Sequence, residues 1–219
     1  MPNPNPSSHY EKNSHYDVET KAIVFDFDGV ILESVDVKTK AFALLFEDYP
    51  DQLPAIIDLY KKHGGMSRFE KFKIIYKDIL KEPLTEEKKE SLGKQFSDSA
   101  YQEVLSSPLV KGAKEFLQAH HKEFYLFVAS GTPDTEIKSI IKDLDLDGYF
   151  KEVFGSPSKK KDIILEIMDK FGFKNSEVIM VGDSINDEEG AKAAGVSFVW
   201  RTKDNNPFRE LEKLINRKK

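Results

Sequence analysis

Five short apolar runs, the later ones separated by stretches of helical periodicity, constrain this chain more than any other feature. They are Ala22–Phe27 (AIVFDF), Phe124–Ala129 (FYLFVA), Val153–Phe154, Val178–Gly182 (VIMVG) and Ser197–Trp200 (SFVW). Short apolar runs that end in glycine or polar residues read as buried strands. Between the later runs, Ile137, Ile140, Ile141 and Leu144 recur at helical spacing, as do Ile163, Ile164, Ile167, Met168 and Phe171. Strands alternating with helices predict an α/β fold, a doubly wound parallel sheet with a Rossmann-like core.

The interval between the first two runs breaks this rhythm. It spans roughly ninety residues and carries no strand pattern, whereas a parallel crossover needs only about a dozen. Four helical stripes fill it: Val37, Ala41, Leu44 and Leu45; Ile56, Ile57 and Tyr60; Phe69, Phe72, Ile75 and Ile79; and Leu92, Phe96 and Val104. Thr85, followed by Glu86 and Glu87, is the expected N-cap of the fourth. The predicted organisation is a core of residues 21–33 and 108–219, a helical insert of residues 34–107, and a mobile polar tail of residues 1–20. His9 and His15 in that tail read as solvated side chains rather than metal ligands.

Composition narrows the chemistry. A chain of 219 residues can bury a core and still enclose a cleft. Net charge is −5 with acids and bases interspersed, which does not suit a broad nucleic-acid surface. No window approaches the roughly 18–20 apolar residues of a membrane helix, and the first twenty residues lack the apolar stretch of a secretion signal. The absence of cysteine excludes disulfides, thiolate metal sites and cysteine nucleophiles. The expectation is a cytoplasmic protein, a monomer or weak homo-oligomer, that acts on a small molecule and engages neither nucleic acid nor membrane.

Polar residues gather where the apolar runs end. Asp26 and Asp28, two apart in Asp26-Phe27-Asp28-Gly29, project to the same side of a strand end, and Gly29 permits a sharp turn. Ser130-Gly131-Thr132-Pro133 follows the second run and precedes a helix, so its hydroxyls and amides suit a phosphate, with Pro133 at the first helical position. Lys159, Lys160 and Lys161 stand just before another helix. Asp183 and Asp187 follow VIMVG. Ligands in open parallel sheets bind beyond the C-terminal strand ends, and several carboxylates in one pocket call for a hard cation such as magnesium. Taken singly these motifs stay ambiguous: a calcium or turn site, a common helix start, a solvated charge run.

In this order and at these strand ends the four motifs resemble the haloacid dehalogenase-like hydrolase superfamily, over Lys21 to about Arg201. The long helical insert after the first motif is similar to the helical cap of its phosphoglycolate phosphatase and beta-phosphoglucomutase branch. The resemblance implies Asp26 as nucleophile and Asp28 as general acid/base. It implies Ser130 and Gly131 as phosphate-binding residues and Lys160 as the motif lysine, with Lys161 second. It further implies Mg2+ held by Asp26, Asp183 and the Asp28 backbone carbonyl, with Asp187 as supporting acid. The implied activity is a phosphatase acting on a small phosphorylated metabolite, of the sugar phosphate or phosphoglycolate type, through an aspartyl-phosphate. Dehalogenation is disfavoured because Asp28 is present, and a halide leaving group needs no proton. A sugar phosphomutase is the alternative, although its cap histidine twelve residues after the nucleophile is here Lys38. A catalytically inactive binding protein is a third reading.

One insert residue stands out. Arg68, after Gly64-Gly65, opens a helix where a cation opposes the dipole. It is a candidate for substrate specificity, its planar fork suited to an anionic or hydroxyl-rich group. The alternative is an ion pair with Glu70 or another nearby acid.

Overall fold

The computed structural model describes residues 20–202 and 204–216. The expected tail, with His9 and His15, lies outside them except for Thr20. Five strands form one sheet: β1 Ala22–Phe25, β2 Tyr125–Pro133, β3 Glu152–Ser156, β4 Val178–Gly182 and β5 Ser197–Trp200. Their order is β3-β2-β1-β4-β5 and every pairing is parallel. Central β1 runs in register with both neighbours, Ala22 opposite Tyr125 and Val178.

Period-two alternation sends the strand side chains into two apolar layers. Val24, Phe127, Ala129 and Met180 pack on one face with Ile163, Ile164 and Ile167 of α7 (Lys160–Phe171) and Ala191 of α8 (Ile185–Ala194). Phe25, Leu126, Val128 and Val181 pack on the other, against α5 (Ala113–His120), α6 (Asp134–Asp143) and α9 (Pro207–Asn216). Helices thus cover both faces, as the alternation predicts. The chain crosses to opposite sides of β1 in forming β2 and β4, so strand order reverses at the C-terminal end of β1, where a crevice opens. Pro133 differs slightly from expectation: it is the N-cap of α6, and Asp134 is the first helical residue.

The interval between β1 and β2 is helical throughout its ordered elements. It holds α1 Val35–Leu44, α2 Leu53–Lys62, α3 Arg68–Ile74, which continues as a π-helical turn through Leu80, and α4 Glu86–Leu105. Thr85 caps α4, accepting from the Lys88 amide at 3.2 Å. Phe42 centres an aromatic cluster, with ring centroids 4.2 Å from Tyr60, 5.4 Å from Phe46 and 5.6 Å from Phe72. The chain leaves the core and returns side by side, the Glu33 amide donating to Pro108 O at 2.9 Å. The face that α1 buries is rotated from the apolar stripe in its sequence. Leu44 is 61% exposed, while Lys38, Ala41 and Phe42 turn inward. Phe42 is drawn to the aromatic cluster, and Lys38 follows because it shares that face.

Candidate active site

β1 delivers Asp26 to the crevice with only 2% of its surface exposed. Its Oδ1 accepts from the Phe27 amide at 2.7 Å and lies 2.8 Å from Lys160 Nζ. Beyond it the chain folds tightly, the Val30, Ile31 and Leu32 amides all donating to Phe27 O. Gly29 makes that turn at φ +79°, and a Cβ there would stand 2.2 Å from Asp183 Oδ2. The loop after β1 and the loop after β4 therefore touch through a position only glycine can fill.

Lys160, the first residue of α7, reaches back under the sheet edge. Its ammonium contacts Asp26 Oδ1 and Asp187 Oδ1, each at 2.8 Å, and donates to Ala129 O. Lys159 and Lys161 face solvent. Gly190 makes this placement possible: a Cβ there would lie 2.6 Å from Lys160 Cβ. Asp187 is fully buried in a capping box at the start of α8. Its Oδ2 accepts from Ser184 Oγ at 2.6 Å and the Ser184 amide at 3.2 Å. Its Oδ1 has no well-aligned hydrogen bond, so the Lys160 ammonium is what balances its charge. Ser130 is buried behind the site, its Oγ accepting from the Thr132 amide at 3.1 Å. Gly131 and Thr132 line the cavity itself.

Asp28 keeps a fifth of its side chain exposed and is ringed by donors. Ser34 Oγ donates to Oδ1 at 2.5 Å and Thr132 Oγ1 to Oδ2 at 3.2 Å. Lys38 Nζ straddles both carboxylate oxygens, at 2.6 Å and 2.7 Å, and also donates to Thr132 Oγ1 at 2.9 Å.

These surroundings push the carboxyls in opposite directions. Burial, then the neighbouring Asp187 charge, hold Asp26 well above the usual carboxylate range despite Lys160. Burial and Asp187 also lift Asp183, to about 7. Burial would raise Asp28 as well, but the Lys38 charge and the hydrogen bonds from Lys38, Ser34 and Thr132 outweigh it and hold it low. Lys160 is raised, because the Asp187 and Asp26 charges overcome its own desolvation.

The site fits a hard divalent cation. Oxygens of Asp26, Asp183 and Asp187 lie within 4.8 Å of one another. Asp187 is committed to Lys160 and Ser184, whereas the Asp183 carboxylate makes no hydrogen bond or ion pair to the described residues. An unpartnered, largely buried carboxylate beside a second one that resists ionisation is short of positive charge. A cation held by hard oxygens supplies that charge.

A cavity of about 370 Å³ opens above these groups, between the strand ends and the helical insert. Gly64, Gly65 and Met66 form part of its wall. The Asn186 Nδ2 amide donates to Gly64 O at 2.6 Å, and a Cβ on Gly131 would lie 2.4 Å from Gly65 O. Arg68 is not in that wall. It is buried, its Nη2 lies 2.6 Å from Glu136 Oε1 on α6, and its Nη1 donates to Ser97 Oγ at 2.8 Å and Gly93 O at 3.2 Å. Its guanidinium also lies over Phe96, 4.5 Å from the ring centroid. The sequence pattern gives Lys71 no site role, and Lys38 only the place where a histidine is missing. Both line the cavity. Their signal was available: each shares a helix face with buried apolar residues, Lys38 with Ala41 and Phe42, Lys71 with Ile75.

A family model described as haloacid dehalogenase-like hydrolase matches residues 20–195. Among similar proteins, the chain is 28% identical over 189 residues to a phosphorylated carbohydrates phosphatase of Thermotoga maritima, covering 82% of this chain and 84% of that one. It is 29% identical over 187 residues to a phosphoglycolate phosphatase of Aliivibrio fischeri, covering 81% and 82%. Among solved structures, a hydrolase from Pseudomonas syringae superposes with a TM-score of 0.69 at 23% identity, covering 83% of this chain and 84% of that one. Magnesium-bound YfnB of Bacillus subtilis superposes with a TM-score of 0.67 at 20% identity, covering 91% and 100%.

Proposed function

This chain belongs to the haloacid dehalogenase-like hydrolase family, and we propose that it is a magnesium-dependent phosphatase of small phosphorylated metabolites, with residues 34–107 serving as a cap over the site. The observation that carries this reading is the Lys160 ammonium bridging Asp26 and Asp187 at 2.8 Å each, with the unpartnered Asp183 beside them. Phosphatases are also among the similar proteins, one named for phosphorylated carbohydrates and one for phosphoglycolate.

In this reading an Asp26 carboxylate oxygen attacks phosphorus in line, the bond from phosphorus to the leaving oxygen breaks, and Asp28 gives that oxygen a proton. Water then attacks the aspartyl-phosphate as Asp28 takes its proton back. Inorganic phosphate leaves and Asp26 is regenerated. Mg2+, held by Asp26, Asp183 and the Asp28 backbone carbonyl, would neutralise charge on the transferring group and keep Asp26 ionised. Lys160 neutralises further phosphoryl charge, Asp187 holds Lys160 in place, and the Ser130-Gly131-Thr132 segment offers amides and hydroxyls to the phosphate. Lys38 favours the ionised form of Asp28, so Asp28 takes up a proton from water as a substrate oxygen displaces Lys38, and only then can give it to the leaving oxygen. The cap excludes water and meets the leaving group.

Phosphate release from a panel of metabolite esters and an aryl phosphate, with and without magnesium, tests the proposal. Activity that survives chelation, or that persists in Asp26→Asn, would overturn it.

A further inference from the structure

Lys71 is 4% exposed and lines the cavity, yet no carboxylate of the described residues pairs with it. Its one direct partner among the described residues is the Tyr60 ring of α2, whose centroid lies 3.8 Å from Nζ. The charges that reach it are those of Lys38, which repels it, and of Asp28, Asp26 and Asp183 across the cavity on the core side. A buried ammonium without a counter-ion is costly. Burial pulls its pKa down to about 7, with Lys38 adding to the effect.

The cavity walls are also segregated by charge. Lys38, Lys61, Lys62 and Lys71 all come from the insert, and no acid does. Asp26, Asp28 and Asp183 all come from the strand ends. Lys160 and the Ser130-Gly131-Thr132 segment serve the phosphate from the core side, so Lys71 on the opposite wall stands where the leaving alcohol would lie.

We propose that Lys71, set over Tyr60, is the receptor for a second anionic group on the substrate, so that the chain acts on phosphate monoesters whose alcohol portion itself carries a carboxylate or a second phosphate. This rests on the phosphatase reading for the position of the ester, and it narrows that reading by disfavouring neutral sugar phosphates. A second anion supplies the counter-charge that Lys71 lacks and relieves its repulsion from Lys38.

Two matched pairs of esters test it: 2-phosphoglycolate against 2-hydroxyethyl phosphate, and glucose 1,6-bisphosphate against glucose 1-phosphate. The enzyme should favour the anionic member of at least one pair by about tenfold or more in kcat/KM, the scale of one charge-assisted hydrogen bond. Which pair shows the preference identifies the anion as carboxylate or phosphate. Lys71→Met, similar in length and uncharged, should bring that ratio to within about threefold of unity. No preference in the native enzyme, or a ratio unchanged in Lys71→Met, overturns the assignment. An equal loss on both members is such an unchanged ratio. Calorimetry on Asp26→Asn keeps the question separate from turnover. There the preferred anionic ester should bind about tenfold more tightly than its neutral partner, and the added Lys71→Met should remove the difference. If no ester is hydrolysed yet this binding difference appears, the phosphatase reading fails and the Lys71 assignment stands. Failure of both esters to bind, or equal binding, overturns the assignment.

Discussion

A buried lysine retained for a ligand should weaken the empty protein, so Lys71→Met should stabilise it. Lys71 falls from an ordinary value of 10.5 to about 7, which corresponds to roughly 5 kcal/mol when the group is fully protonated. At pH 7 about half the folded molecules shed the proton, and the penalty is roughly 4 kcal/mol. The contact with the Tyr60 ring offsets ~1–2 kcal/mol of this, leaving an expected gain of about 2–3 kcal/mol for Lys71→Met. The sign with pH follows from the direction of the shift. The unfolded chain holds this proton up to about 10.5 and the folded chain only to about 7, so between them unfolding takes up a proton. Native stability should therefore rise across that window relative to Lys71→Met, and the gap should largely close by about pH 10. Asp26, Asp28, Asp183 and Lys38 are common to both proteins, so their contributions cancel to first order in the difference. Urea unfolding followed by fluorescence of the single tryptophan, Trp200, at several pH values in chelating buffer measures this. A variant less stable than the native chain at pH 7, or a difference that does not change between pH 7 and 10, would refute the reasoning.

Three further outcomes follow from the geometry. Lys160→Ala should collapse turnover, because it removes the ammonium that bridges Asp26 and Asp187, while Lys159→Ala and Lys161→Ala should stay near native; steady-state kinetics on the three variants decides it. Arg68→Ala should lower stability by about 3 kcal/mol, since it strands the half-buried Glu136, and should reduce kcat/KM for different esters by similar factors; a loss confined to one substrate would return Arg68 to a specificity role. Gly131→Ala should depress kcat/KM at least tenfold with a small change in melting temperature, because its Cβ would lie 2.4 Å from Gly65 O and must push the insert loop off the strand ends; native activity in that variant would show that this contact does not matter.

The sheet and the acidic strand ends were legible because both depend on local pattern. VIMVG and SFVW became β4 and β5 with the expected bounds. The third strand reads faintly, as two apolar residues. It lies at the sheet edge, where Glu152 and Ser156 extend it by pairing with β2. The insert was legible as four helices, since each has its own apolar stripe. What those helices do with their cations was not legible, because each cation answers to a group on another element. Arg68 finds Glu136, Lys38 finds Asp28 and Thr132, and the one partner of Lys71 on its own side is a ring from the preceding helix.

Arg68, Lys71, Phe72 and Ile75 fall three and four apart and share one face of α3 and the turn that continues it, and all four are buried. Counting only apolar residues on such a face discards the two cations as noise. Keeping them raises a sharper question, because a cation on a buried face must meet either an acid, a ring or a ligand. Arg68 has its acid and its ring, both supplied by the protein itself. Lys71 has a ring and no acid, and it lines a cavity whose acids all stand on the opposite wall. The same helix thus carries one cation spent on holding the insert to the core and one left to bind, and this difference lies in their partners rather than in their residue types.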